Sequence, residues 1–272
     1  MTRSPSTVVF AILILAALLT AFPSASDEPA AERPGPGGNE GPILVELFTS
    51  QGCSSCPPAD RLLSRLADSG LADGVEVIPL AYHVDYWNYI GWQDPFSSSA
   101  WSERQRRYAG ALGHGRVYTP QLVFDGASDC VGSDADQVER RLAEASRRSV
   151  RGEVRLGLSS TAGDRWVADV AVDLVGEGRL DLMLAVFEND LTTPVRRGEN
   201  ARRTLHNDFV VRRLQKIGSV EGPAAAWHSG AQELELDPGW DARELGVAVF
   251  LQDPRRLTIH GAAVAYLETG KS

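Results

Sequence analysis

The stretch TSQGCSSCPPAD, Thr49 to Asp60, holds the cysteines Cys53 and Cys56 two residues apart and follows them with a proline pair. Three chemistries use such a pair: electron exchange through a reversible disulfide, half of a tetrahedral metal site, or a permanent staple. Of the 3 cysteines in the chain the last is Cys130. One further thiol, with no histidine at a matching short spacing, leaves a four-ligand structural zinc site short of donors. Pro57 and Pro58 fit only the first turn of a helix, where amide groups lack intrahelical partners anyway. A thiol just ahead of that turn feels the positive end of the helix dipole and ionises more readily. Cys53 is therefore the expected nucleophile, and Cys56 the thiol that resolves a mixed disulfide. An inert bridge, or copper(I) held by Cys53, Cys56 and His83, are the competing uses of the same atoms.

Other side chains are candidates for the same centre. Glu46 interrupts an apolar run just before the cysteines, so a carboxyl buried there could act as base toward Cys56; an edge position open to water is the alternative. His83 and Asp85 could carry a proton to or from sulfur, or simply end a strand. Tyr82, Tyr86, Trp87, Tyr89, Trp92, Phe96, Trp101 and Tyr108 crowd one short region, as the wall of a groove or as a local core. Six arginines, Arg196, Arg197, Arg202, Arg203, Arg212 and Arg213, surround Glu199, Asn200 and His206. They read as a solvated face, or as a loop that binds an anion or docks the two halves of the chain.

The elements that must position these residues follow from hydropathy. ILVELF from Ile43 and VEVIPLAYH from Val75 to His83 are nearly continuous apolar runs, the pattern of strands buried on both faces. Between them Ala59, Leu62, Leu63 and Leu66 form a helical stripe ending near Gly70, which makes a parallel crossover unit. A second helix carries Trp101, Gln105, Tyr108 and Leu112. Two short strands, about Gln121–Phe124 and Ala127–Val131, meet at the hairpin signal Asp125-Gly126. A helix starting at Ser133-Asp134 closes the series, whose order is that of the thioredoxin fold. There Thr119-Pro120 would be the proline facing the cysteines, in cis, or else a plain strand-entry proline. After Arg151 the period changes to two; about seven alternating runs, separated by turns such as Val175-Gly176-Glu177-Gly178, predict an antiparallel β-sandwich.

ELFTSQGCSSCPPAD, HVDYWNYIGWQDPFSS, ERQRRYA and VYTPQLVFDG together resemble a bacterial family of exported thioredoxin-like proteins catalogued as domain of unknown function 1223. The resemblance covers most of Ile43 to Ser149, and RRGENARRTLHNDFVVR from Arg196 to Arg212 is similar as well. It implies a thioredoxin-like fold centred on Cys53 and Cys56 and names no substrate; it is not extended to Asp125 and Cys130.

With 272 residues, 43% hydrophobic content and a net charge of -9, the chain is a folded protein without the basic face that nucleic acid needs. Arg3 followed by VVFAILILAALLTA, Val8 to Ala21, reads as a cleavable secretory signal, too short to span a membrane and leaving no stable membrane anchor. The expected organisation is a signal peptide over 1–26, a flexible linker over 27–42, a thioredoxin-like α/β domain over 43–149 and a β-sandwich over 150–272. The expected function is thiol–disulfide exchange in the periplasm or outside the cell, on a protein or small-molecule thiol or disulfide. No cofactor is needed, because the disulfide itself carries two electrons, and no metal is assigned. Cys53, Cys56, Pro120 and Glu46 are the expected catalytic set, with Thr119, His83, Asp85, Trp87 and Trp92 lining the substrate edge. A non-catalytic binding module with a structural disulfide, or a copper-handling protein, is the alternative.

Overall fold

The first apolar run forms β1, Ile43–Thr49, and the second forms β2, Val77–His83; every residue of both is buried. They pair in parallel, Ile43 beside Val77 through Thr49 beside His83. The helix between them is α1, Pro57–Ser69. A short 3-10 helix, Asp85–Ile90, and α2, Ser99–Ala111, follow β2. Next come β3, Gln121–Phe124, and β4, Ser128–Val131, joined through Asp125 and Gly126, both at positive φ (46° and 62°). Phe124 pairs with Ser128, so Asp125 to Ala127 make the connection, and the Ala127 amide donates to the Phe124 carbonyl (2.9 Å) across an Asp-Gly pair in the positive-φ backbone it adopts readily. Asp134 caps α3, Ala135–Ala145, by accepting a bond from the Gln137 amide. The computed structural model describes Met1 and residues 41–69, 75–161 and 165–268. The expected signal peptide and nearly all of the linker lie outside those residues.

The second half of the chain is all strand: β5, Gly152–Thr161; β6, Arg165–Glu188; β7, Leu191–Pro194; β8, Thr204–Asn207; β9, Val210–Leu234; β10, Leu245–Gln252; β11, Ile259–Tyr266. Here the expectation of an α/β thioredoxin-like domain followed by an antiparallel β-sandwich is overturned. One mixed sheet of 9 strands runs in the order β11-β10-β6-β9-β2-β1-β3-β4, with β5 added beside β6. The two halves are fused where β9 lies parallel to β2, with Ala81 beside Val210 and the Ala81 amide donating to the Phe209 carbonyl at 2.8 Å. Alternation along a strand fixes which residues share a face and says nothing of which strand lies alongside.

The same limit explains β6. Its stretch LMLAVF puts Leu182, Leu184 and Val186 into one apolar cluster, while Ala185 and Phe187 join the other, which also contains β1 and β2. A segment buried on both faces belongs inside a sheet between two layers. Val175–Gly178, expected as a turn, lies within the 24-residue β6; Gly176 and Gly178 at positive φ (83° and 109°) accompany a register shift against β9 instead of a reversal. All these elements belong to one compact unit, Gly38–Ser272. Among the described residues no helix is long and apolar enough to cross a membrane.

Alternation along β1 places the functional residues. Leu47 faces the layer of α1, where it lies beside Ala59 near Gly132, and Thr49 shares that parity. Glu46 and Phe48 face α2, against Arg104 and Tyr108.

Candidate active site

β1 ends at Thr49, and the chain turns through Ser50 to Cys56 before α1 begins. The Cys53 amide donates to the Ser50 carbonyl (3.1 Å) and the Cys56 amide to the Cys53 carbonyl (3.2 Å). This tight turn leaves the Cys53 sulfur ringed by donors. Ser55 Oγ lies 3.1 Å from it, and Thr119 Oγ1 donates to it at 3.4 Å. Thr119 is itself fixed by the Trp87 indole, whose Nε1 donates to Oγ1 at 2.7 Å, and the Thr119–Pro120 bond is cis. Cys53 is 1% exposed and Cys56 is fully buried, whereas Ser54 and Ser55 between them are exposed.

These contacts split two chemically identical thiols. A hydrogen bond from Cys56 is the largest influence on Cys53 and, with help from Ser55 and Thr119, pulls its pKa from 9.0 to about 6 against the opposing effect of burial. Burial pushes Cys56 well above the ordinary range, and the neighbouring Cys53 and Asp60 push it further. Both are free thiols.

Under the turn lies a polar cluster. Asp60, in the first turn of α1, accepts from Thr49 Oγ1 at 2.8 Å. Burial raises its pKa to about 7, with the attraction of His83 and the Thr49 bond working the other way. His83 Nδ1 lies 2.7 Å from Asp94 Oδ2. Burial alone would lower His83 and raise Asp94, but their mutual attraction reverses both directions. The other ring nitrogen, Nε2, is buried without a hydrogen-bond partner.

Not every expected residue meets the cysteines. Glu46 turns to the opposite face, where one carboxylate oxygen accepts from Arg104 Nε at 2.7 Å and the other from the Tyr108 hydroxyl. The acid electrostatically linked to both cysteines is Asp60. Asp85 accepts from Ser102 Oγ at 2.5 Å on α2. Trp92 reaches the turn at one remove, its Nε1 donating to Gln51 Oε1 at 3.2 Å. The aromatic region divides: Tyr82, Trp101 and Tyr108 are core, while Tyr89 is 83% exposed. Cys130 is buried on β4 with its pKa raised to about 12, chiefly by burial.

The second half of the chain supplies what sequence reasoning missed. β7 and β8 pair as a separate two-stranded sheet. The loop between them is closed by the Val195 amide on the Arg203 carbonyl (2.9 Å) and the Arg202 amide on the Val195 carbonyl (2.8 Å). Fully buried Asn200 in that loop donates through Nδ2 to the carbonyls of Gln51 and Cys53, each at 2.9 Å. Beside it Glu199 accepts from the Ser54 amide at 2.9 Å. Gln51 completes the frame: its amide donates to Asp94 (2.8 Å) and its Nε2 to Asn207 Oδ1 (3.0 Å). Fastened this way, the Gln51 and Cys53 carbonyls point into Asn200, and the Ser55 amide is left to the Cys53 sulfur. The motif around Arg196–Arg212 was a visible signal for the loop; its contact with residues some 150 positions away was not.

The family described as "Protein of unknown function (DUF1223)" matches residues 44–252. Among solved structures, a protein of Agrobacterium tumefaciens determined by X-ray crystallography is similar, with 29% identity and a TM-score of 0.62 over 85% of this chain and 96% of that one. HBP35 of Porphyromonas gingivalis shares the fold at 16% identity, with a TM-score of 0.58 over 86% of this chain and 78% of its own. No curated protein sequence matches the chain.

Proposed function

The chain belongs to that family of proteins of unknown function, DUF1223, and from its cysteine pair we propose that it performs thiol–disulfide exchange with a protein or small-molecule partner. The observation that carries this reading is the opposite tuning of two adjacent thiols: Cys53 pulled down to about 6, Cys56 pushed up. At neutral pH Cys53 is then mostly thiolate, the form that attacks, and Cys56 holds its proton until needed. Cys53 displaces one sulfur of the partner disulfide, which leaves as a thiolate and takes a proton. Cys56 then gives up its proton and displaces the second sulfur, so the protein dithiol is oxidised by two electrons and the partner becomes two thiols.

Asp60 is suited to receive the Cys56 proton, because a carboxyl poised near 7 can be ionised before the step and protonated after it. Cys53 is 1% exposed, so a partner reaches its sulfur only after side chains of the turn move. The exposed Ser55 hydroxyl lies against the sulfur, and rotation of a surface side chain takes picoseconds to nanoseconds. The reading includes export, proposed from the apolar run Val8 to Ala21 and consistent with a compartment where dithiols can be reoxidised.

The test is reduction of insulin by dithiothreitol in the presence of wild type, Cys53→Ser or Cys56→Ser. Wild type is expected to accelerate it, Cys53→Ser to do nothing, and Cys56→Ser to stall as a mixed disulfide visible by mass spectrometry. Equal rates for all three proteins would remove the reading.

A further inference from the structure

We propose that the arginines of the β7–β8 loop select a partner whose disulfide is flanked by negative charge, a carboxylate-bearing disulfide of peptide size. This inference rests on the exchange reading of Cys53 and Cys56 and assigns its substrate class.

The loop belongs to the site by direct contact. Asn200 holds the Cys53 carbonyl and Glu199 holds the Ser54 amide, so residues one to three positions away ride beside the nucleophile. Arg196, Arg197 and Arg202 are exposed, and among the described residues no guanidinium of the three enters an ion pair or hydrogen bond. Across the turn, exposed Arg116 stands three residues before Thr119, whose hydroxyl touches the sulfur. Glu199, Asp60, Asp94 and Asp208 form no ion pair with Arg196, Arg197 or Arg202. Glu199 caps Ser54, Asp60 takes Thr49, Asp94 takes His83, and Asp208 takes Ser64.

The chain as a whole carries -9, with 36 acidic residues against 27 lysines and arginines. From Arg196 to Arg203 the loop carries four arginines against one carboxylate, Glu199, a net cationic rim beside the cysteine turn of an acidic chain. Guanidinium groups act on an approaching ion over roughly a Debye length, about 8–10 Å at physiological salt, and bind carboxylates in a two-pronged geometry. Charge steering of this kind changes association rates by about 10- to 1000-fold at low salt. A cationic or neutral disulfide gains nothing from it.

Three small disulfides separate the possibilities: oxidised glutathione, net negative; 2-hydroxyethyl disulfide, neutral; and cystamine, positive. Each oxidises the reduced protein in the step written above, and each rate is divided by that probe's rate with free 2-mercaptoethanol to remove intrinsic reactivity. Wild type at low salt is expected to favour the anionic over the cationic probe by about tenfold or more. The preference should shrink toward unity in about 0.5 M salt, where screening shortens the reach of the arginines, and in R196E/R197E. Both positions are exposed, and unchanged melting of the double variant confirms that it folds. Equal normalised rates for the three probes in wild type, or a preference that R196E/R197E retains, would overturn the inference and leave the exchange reading standing. Failure of wild type to react with any of the three while 2-mercaptoethanol does so would remove the exchange reading, and the substrate assignment with it.

Discussion

Two polar clusters flank β1, and they are built to opposite ends. On the α2 face, Glu46, Arg104, Tyr108 and Gln252 form a closed network: Arg104 reaches Glu46 (2.7 Å), Gln252 (3.2 Å) and Tyr108 (3.2 Å), and Gln252 returns a bond to Tyr108 (3.0 Å). Opposite charges balance, and the network ties α2 to β10. On the α1 face, three positions along the same strand, Thr49, Asp60, His83 and Asp94 sit under the cysteines. There a carboxyl is raised to about 7 and an imidazole nitrogen has no partner. The four members of the first cluster are all partnered and their charges paired, although the buried Tyr82 hydroxyl beside them has no hydrogen bond; the second cluster holds a carboxyl poised near neutrality and lies next to sulfur. Burial of polar groups alone therefore does not mark a reactive site. Incomplete compensation beside a nucleophile does.

Four changes would break or sharpen that contrast. The largest effect belongs to the closed network. Glu46→Ala strands a buried guanidinium and should cost about 3–5 kcal/mol in urea unfolding, while the pH midpoint of Cys53 alkylation in the folded protein stays put. A moving midpoint would mean the clusters are not separate.

Asp60→Asn acts on the open cluster through pH. Its carboxyl rises from 3.8 unfolded to about 7 folded, so folding favours the protonated form. The resulting stability is complete below about pH 4 and is lost as pH rises through 7. At about 1.4 kcal/mol per unit the loss is up to about 4 kcal/mol. Denaturant titrations at pH 4 and 8 should show a smaller fall for the Asn variant than for wild type. Part of the fall should persist, because burial raises Asp125 to about 7 as well.

Asn200→Ala leaves the buried Gln51 carbonyl without its donor and the Cys53 carbonyl with the Cys56 amide alone, at about 1–3 kcal/mol. It should also raise the Cys53 midpoint by about one pH unit, equivalent to about 1.4 kcal/mol, once the turn can rotate its carbonyls toward the sulfur. A loss of stability with no change in midpoint would confine Asn200 to the scaffold. Thr119→Val is expected to be the mildest change. It removes one donor to the sulfur and the acceptor of Trp87, so the midpoint should rise by less than a unit, in line with about 0.5–1.5 kcal/mol for one hydrogen bond.

Local features of this molecule were legible in its residues. The buried runs of β1 and β2, the proline-started helix after Cys56, the Asp125-Gly126 hairpin and the Asp134 cap all depend on neighbours within a few positions. What escaped depends on distant partners. Glu46 and Thr49 lie three apart on β1, yet nothing in their spacing tells that one meets Arg104 and the other Asp60. Gln51 and Asn200 look like ordinary loop amides until the β7–β8 hairpin brings them together. The fusion of the sheet through Ala81 and Val210 has no sequence mark, because a single parallel bridge needs no special residue type.

The central claim, that the fold makes Cys53 a thiolate near neutrality, is tested most directly by alkylation of the reduced protein with iodoacetamide across pH 4 to 10, with the modified cysteine located by mass spectrometry. A midpoint for Cys53 close to 6, with Cys56 unreactive throughout the neutral range, is the predicted result. A Cys53 midpoint at the ordinary thiol value of 9.0 would contradict the account.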